Sequence, residues 1–496
     1  MGKTFSKKWS LILGPMVFIG LILLDPPSGM SEEALKVLAV TLWMAIWWIA
    51  EAVPIAVTAL LPIVLFPITG AVEIGITTEA YGHKYIFLYM GGFILALAIE
   101  RWGLHQRIAL IIISLIGSNM NSIMMGFMLA TAFLSMWISN TATAVMMLPI
   151  GMAIVNQFAK VSDIYPDNRE KEVGKALMLA IAYSASIGGF ATLIGTPPNL
   201  VLAGIIEELY DVKLSFLDWM KFGFPLSMLL LIICWKYLTT YAFDCKKVDF
   251  PGGKQEINKM LKALGKISFE EKWVLIIFAL TAAAWILRSF IQRLLPGIDD
   301  AVIALMAAIT LFVLPSKSGK RKLINWEEAV KLPWGIILLF GGGMALAKGF
   351  GITGLAEWIA GKMGQMNGMS MILMILILVA MVNFLTEITS NLATTAMILP
   401  VLAPLAMSFN AHPFMLMVPV TVAASCAFML PVATPPNAVV FGSGYLKIPD
   451  MVKAGFWMNI FSILLISLLC YYILPSIWNI EPEIFPEAFK RTKIIP

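Results

Sequence analysis

The chain has 496 residues, of which 59% are hydrophobic and only 13% charged, and 35 basic against 30 acidic side chains leave a formal charge of +5. Soluble globular chains run at about 45 to 50% apolar and about 25% charged, so an ordinary soluble enzyme is excluded. At about 20 residues per crossing the apolar content suffices for ten or more spanning helices. The basic residues sit in a few connectors rather than one stripe, which reads as a membrane-orientation signal and not as a nucleic-acid footprint. Cys234, Cys245, Cys426 and Cys470 show no paired spacing, so neither a disulfide framework nor a zinc site is suggested.

Lys3, Lys7 and Lys8 precede an apolar run over residues 11–24, and Asp25-Pro26-Pro27 follows where a secretory signal would carry small cleavage-site residues. The run is read as a first span with its N-terminus on the cytoplasmic side. Gly2 and Ser6 match a myristoylation pattern, which is read as chance. Further apolar runs begin near Leu35, Ile55, Tyr85, Ala176, Trp219, Trp273, Ala301, Trp334 and Val452, and Met-rich stretches over 123–159 and 371–407 are broken by polar residues. With the Met-rich stretches as re-entrant hairpins there are about eleven crossings. The positive connectors then fall inside and the acidic ones at 25–33 and 299–300 outside. An odd number of crossings puts the C-terminus outside.

Between the halves, residues 245–272 carry seven lysines and the helical apolar spacing Ile257, Met260, Leu261, Leu264, Ile267, which predicts an amphipathic helix on the cytoplasmic surface. The expected organisation is an N-terminal span and external loop over 1–33, a first repeat over 34–244, this connector, a second repeat over 273–480 and an external tail over 481–496.

The halves repeat. Ser-Asn-Thr-Ala-Thr-Ala begins at Ser139 and Ser-Asn-Leu-Ala-Thr-Thr at Ser390, 390 − 139 = 251 residues later, with seven of the twelve positions from Ser139 to Ile150 identical. Thr-Pro-Pro-Asn begins at Thr196 and again at Thr434, 238 residues later. The orientation count makes the repeats inverted, and matched polar breaks in inverted repeats point to a secondary transporter with a midplane site. Broken backbone at membrane depth must be buried in protein or face water, so the four breaks are expected to converge on one cavity. Thr196 and Thr434 suit helix caps with Pro197 and Pro435 at the first helical position, and Ser139 and Ser390 suit caps of the second hairpin arms. Helix N-termini would then aim N–H groups at the cavity, which suits an anion, while freed carbonyls and Asn and Ser oxygens suit sodium. Two such tips favour a substrate with two negative ends, although a single phosphate or sulfate could bridge them.

These paired motifs, the hairpins and the length resemble the divalent anion/sodium symporter family, which includes the INDY-type dicarboxylate transporters. The resemblance covers essentially the whole chain after the first span. It implies an all-α polytopic membrane protein of two inverted-topology repeats with two re-entrant hairpins, working as an elevator within a homodimer in the cell membrane. Its implied substrates are four- and five-carbon dicarboxylates such as succinate, malate and 2-oxoglutarate, with no cofactor and with sodium as the candidate coupling ion. By motif position, one sodium site would fall on Ser135, Ser139, Asn140 and Gly195, and a second on Thr386, Thr389, Asn391 and Ala433. The substrate would meet Asn140, Thr141 and Asn391, with Thr196, Pro197, Thr434 and Pro435 closing the cavity. One position departs from the family pattern: Leu392 stands where the second motif normally has Thr. The missing hydroxyl leans the reading to dicarboxylate exchange, with sodium symport as the alternative and a sulfate or phosphate carrier or an anion channel behind them.

Glu387 interrupts an apolar stretch and is either a functional ionisable group or a structural partner for a backbone N–H or a basic residue. Glu51 and Lys348 are read as structural, and Gly91-Gly92 and Gly341-Gly342-Gly343 as close-packing positions. All ten Asp residues fall in connectors or at span ends, and no His-Glu-x-x-His or Gly-x-x-x-x-Gly-Lys-Ser/Thr motif occurs, which disfavours a membrane hydrolase or a primary pump.

Overall fold

A computed structural model describes residues 2–116, 119–162, 169–243, 245, 253–363 and 369–489. The expected connector at 245–272 and the tail at 481–496 lie partly outside these residues. Seven described helices are long and apolar enough to cross a membrane, and an eighth span is counted if Phe269–Ile286 and Arg288–Leu294, bent by 81°, are taken together. Other apolar runs are divided among shorter helices: the run from Ile55 becomes Ile55–Thr58 and Leu61–Thr69. The first run is a helix, Gly2–Ile22, packed against Glu32–Ala50 through Gly14 and Trp43, with the Trp47 indole N–H donating to the Ser10 carbonyl.

Helix starts repeat between the halves. The Ser31 hydroxyl accepts the Ala34 N–H and opens Glu32–Ala50, and Ser268, 268 − 31 = 237 residues later, opens Phe269–Ile286 in a capping box with Glu271. The order then recurs. Lys84–Arg101 matches Trp334–Ile352, the hairpin Met120–Ser135 and Asn140–Ser162 matches Met371–Leu385 and Asn391–Ser408, and Arg169–Gly189 matches Phe414–Ala424. After a break in each half come Pro197–Tyr210 and Pro435–Phe441, and then Phe216–Tyr237 and Ile448–Tyr472.

The helices before the breaks form the centre. All of Phe414–Ala424 is buried, as are residues 176–189, so neither segment presents a polar face. The helices after the breaks are exchanged: Pro435–Phe441 packs on Asn140–Ser162 and Arg169–Gly189, and Pro197–Tyr210 packs on Asn391–Ser408 and Phe414–Ala424. Each hairpin is therefore completed by the other repeat.

The paired glycines are packing positions. A Cβ on Gly91 would lie 2.6 Å from the Ala304 carbonyl carbon, and one on Gly342 would lie 2.7 Å from the Ala59 carbonyl oxygen. Lys348 pairs with Glu79 at 2.6 Å and Glu208 at 3.6 Å, and Glu51 ends Glu32–Ala50 with a φ of 46°. The connector helix Gly253–Ala263 buries Ile257 and packs on Leu104–Ile116, so its apolar stripe faces protein, whereas Ile267 is exposed.

Candidate substrate and cation site

The breaks converge on one cavity of about 980 Å³. Of the residues singled out from the sequence, Ser139, Asn140, Thr141, Gly195, Thr196 and Pro197 line it from the first repeat, and Thr389, Asn391, Leu392, Ala433, Thr434 and Pro435 from the second. Ser135 and Thr386 stand behind this lining. The Ser135 hydroxyl is 2.7 Å from Asn140 Oδ1 and 2.6 Å from the Ala185 carbonyl, and the Thr386 hydroxyl is 2.6 Å from Asn391 Oδ1 and 3.0 Å from the Ala424 carbonyl. Each hydroxyl fixes the asparagine amide from behind.

The caps hold in only half of the expected places. Thr434 accepts the Asn437 N–H at 3.3 Å and Ser139 accepts the Ala142 N–H at 3.3 Å, but Thr196 and Ser390 cap with backbone conformation alone. In the first break Thr192 provides the side-chain closure instead, accepting the Gly195 N–H at 3.1 Å and donating to the Met136 carbonyl at 2.5 Å. Pro197 and Pro435 do occupy first helical turns. Pro435–Phe441 has only seven residues against fourteen in Pro197–Tyr210, so the longer helix ends facing the cavity are those of Pro197–Tyr210 and the two second hairpin arms.

Around Gly195 the backbone forms a cradle of oxygens. A Cβ at Gly195 would collide with the Gly189 carbonyl oxygen and lie 2.9 Å and 3.0 Å from those of Ser135 and Met136, and a Cβ at Gly189 would collide with Asn140 Oδ1. Neutral, hard oxygens in this number suit a small monovalent cation. Among the described residues no cluster of three His, Cys, Asp or Glu side chains could hold a metal ion.

Two sets of residues carry structure that the motifs did not reveal. Asn199 and Asn437, the last residues of the paired Thr-Pro-Pro-Asn motifs, turn back into the breaks: Asn199 Nδ2 donates to the Thr192 carbonyl at 2.7 Å and Asn437 Nδ2 to the Leu430 carbonyl at 3.0 Å. Their repeat pairing was the signal available. Glu387 is the structural partner among its two alternatives. Its carboxylate accepts the N–H groups of Phe428, Met429 and Leu430 at 2.8, 2.9 and 3.1 Å, and Asn459 Nδ2 at 2.8 Å.

The two ends of the cavity differ. Ile388 and Val432, 70% and 68% exposed, line it beside Leu392 on the second-repeat side. In the first repeat, Trp137 is the counterpart of Ile388 and is instead stacked 5.8 Å from Phe216 and edge-on, 5.0 Å from Phe278.

Residues 5–478 match the family model described as the sodium:sulfate symporter transmembrane region. The chain belongs to the sodium:sulfate symporter family. Two relatives named sodium-dependent dicarboxylate transporter SdcS are similar over nearly the whole length. The one from Staphylococcus saprophyticus is 45% identical over 95% of this chain and 92% of that protein, and the one from Staphylococcus aureus strain RF122 is 46% identical over the same shares. Among solved structures, Neisseria gonorrhoeae MtrF superposes with a TM-score of 0.55 at 13% identity, covering 80% of this chain and 83% of that one. The Alcanivorax borkumensis YdaH transporter gives 0.55 at 14%, covering 82% and 88%. At such identities these two bear on the fold alone. The protein is thus an all-helical integral membrane transporter of the sodium:sulfate symporter family, and not an enzyme.

Proposed function

We propose that the protein is a sodium-coupled symporter of four- and five-carbon dicarboxylates such as succinate, malate and 2-oxoglutarate. The observation that carries this reading is the convergence of Asn140 and Asn391, each buttressed by a hydroxyl, on one cavity beside the oxygen cradle at Gly195. Asn140, Thr141 and Asn391, with the N–H groups of the helix ends around them, would take the two carboxylates, and the positive ends of those helices offset the dianion without a lysine or arginine at the tips. Ser135, Ser139, Asn140 and Gly195 would hold one sodium ion, and Thr386, Thr389, Asn391 and Ala433 the second.

The relatives' names, sodium-dependent dicarboxylate transporters, favour symport over the exchange that Leu392 had suggested. Leu392 removes a hydroxyl from the substrate end while the Thr386–Asn391 pair within the proposed second cation site is intact. It therefore retunes substrate preference rather than coupling. In the proposed cycle the hairpins and breaks move together as an elevator within a homodimer of the bacterial cell membrane, with the N-terminus inside and the C-terminus outside.

The deciding experiment is uptake of labelled succinate into proteoliposomes, with an inward sodium gradient in one arm and internal unlabelled succinate without sodium in the other. Symport requires uptake in the first arm and little in the second. Uptake that needs internal dicarboxylate and ignores sodium would overturn it.

A further inference from the structure

A second cavity, of about 430 Å³ and sharing no lining residue with the first, lies between Arg169–Gly189, Phe216–Tyr237 and Ile448–Tyr472. Along Ile448–Tyr472 its wall carries Lys453, Trp457 and Phe461. Four-residue steps place these on one helix face, each about 6 Å further along the axis, in the order cation, amphipathic ring, apolar ring. The outer surface of the same helix, which is long and apolar enough to cross a membrane, continues with Leu464, Leu468 and Tyr472, 48%, 46% and 62% exposed, as an apolar stripe suited to contact with lipid. The facing wall is aromatic as well. Tyr237 meets the Phe461 ring edge-on at 5.4 Å, and the single π-helical turn Leu238–Ala242 carries Tyr241, 77% exposed, beyond it.

The charges in the cavity are unequally matched. Lys175 bonds Glu172 at 3.0 Å and Asp450 at 3.1 Å, and the second Asp450 oxygen accepts the Lys447 N–H at 3.0 Å. The two acids are thereby satisfied within the protein. Lys453 is exposed, and no described ion pair includes it. A lone ammonium at the mouth of an aromatic groove that runs into the bilayer-facing surface suits a group that is anionic at one end and hydrocarbon at the other.

We propose that this groove is a binding site for an anionic phospholipid, its phosphate on Lys453 and its glycerol and acyl chains along Trp457 and Phe461. The site joins elements of both repeats through the Lys175–Asp450 bond, so the lipid would lie across that junction. A free phosphate or a small dicarboxylate would satisfy Lys453 but leave the aromatic wall unused.

The test is native mass spectrometry of the delipidated, full-length protein titrated with phosphatidylglycerol, with phosphatidylcholine of the same chains, and with glycerol phosphate as a chain-free competitor. The wild type is expected to bind phosphatidylglycerol at least tenfold more tightly than phosphatidylcholine, and excess glycerol phosphate to leave that binding unchanged. Lys453→Gln and Lys453→Glu should remove the preference, and Trp457→Ala should weaken both lipids without altering their ratio. An unchanged preference in both Lys453 variants would overturn the proposal. Displacement by glycerol phosphate at comparable concentration would also overturn it, by making the groove an anion site with no lipid component.

Discussion

Ser135 and Thr386 stand 386 − 135 = 251 residues apart and perform one task. Each donates to an asparagine Oδ1 five residues later, at 2.7 and 2.6 Å, while lying within 3.0 Å of a carbonyl of the central helix behind it, Ala185 or Ala424. The hydroxyl thus locks each hairpin tip to the helix that leads into the break of its own repeat. Orientation of Asn140 and Asn391 depends on that lock.

Removing either hydroxyl should loosen the amide without emptying the cavity. A net hydrogen bond is worth about 0.5 to 1.5 kcal/mol, which is up to about tenfold in affinity. Ser135→Ala and Thr386→Val are expected to raise the sodium concentration for half-maximal uptake several-fold, and Thr386→Ser to restore it. Wild-type sodium curves in both variants would show that the lock does not serve the cation.

Gly195 has no room for a side chain. A Cβ there meets three backbone carbonyl oxygens, those of Gly189, Ser135 and Met136, and backbone cannot swing aside as a flexible side chain can. Gly195→Ala should abolish sodium-driven uptake while the protein still elutes as a single folded species in detergent. Ala433, its repeat counterpart, already carries a Cβ, so Ala433→Gly should leave most activity. Equal uptake by Gly195→Ala and wild type would refute the cradle.

Glu387 is expected to matter through stability. It answers four N–H donors, of which those of Phe428 and Asn459 are buried, and each buried donor left unsatisfied costs about 1 to 3 kcal/mol, so Glu387→Ala should lose at least about 2 kcal/mol. Glu387→Gln keeps one acceptor oxygen and should recover part of the loss. The readout is the unfolding midpoint in a fixed detergent, and an Ala variant melting with the wild type would contradict the role.

His412 sits outside the spans, between Asn391–Ser408 and Phe414–Ala424, with its ring 4.7 Å from Phe414 and 5.5 Å from Phe489. Burial pushes its pKa down from 6.5 to about 4. The unfolded chain therefore takes up this proton first, and the stability present above pH 6.5 is lost as pH falls towards 4. The unfolding midpoint should drop more steeply across that window in the wild type than in His412→Gln. Parallel curves would remove His412 as the cause.

Much of the site was legible because the repeat exposes it. Two copies of one motif pair, 251 and 238 residues apart, mark two breaks in each half, four in all, and polar breaks at membrane depth must be buried in protein or face water. Twelve of the fourteen residues singled out do line one cavity, and Ser135 and Thr386 are the supports behind it. Thr192 was not legible, and the pairing of Asn199 with Asn437 did not show which way either amide turns. A hydroxyl or amide that closes a loop is indistinguishable in sequence from one that faces a ligand, because the direction of the side chain depends on which carbonyls the break leaves free.

Composition, apolar run lengths and the duplicated motifs by themselves determined that the chain is a helical membrane protein with two matched halves and paired polar breaks. Periodicity and spacing act along the chain and survive without any knowledge of neighbours. Only the tertiary structure decided that each post-break helix packs on the other repeat's hairpin, that Glu387 holds backbone instead of facing the cavity, and that Trp137 is half-buried in a ring cluster while its counterpart Ile388 lines the cavity. Each of those outcomes rests on contacts between segments 40 or more residues apart, where steric fit and unsatisfied hydrogen-bond donors, rather than local preference, choose the partner.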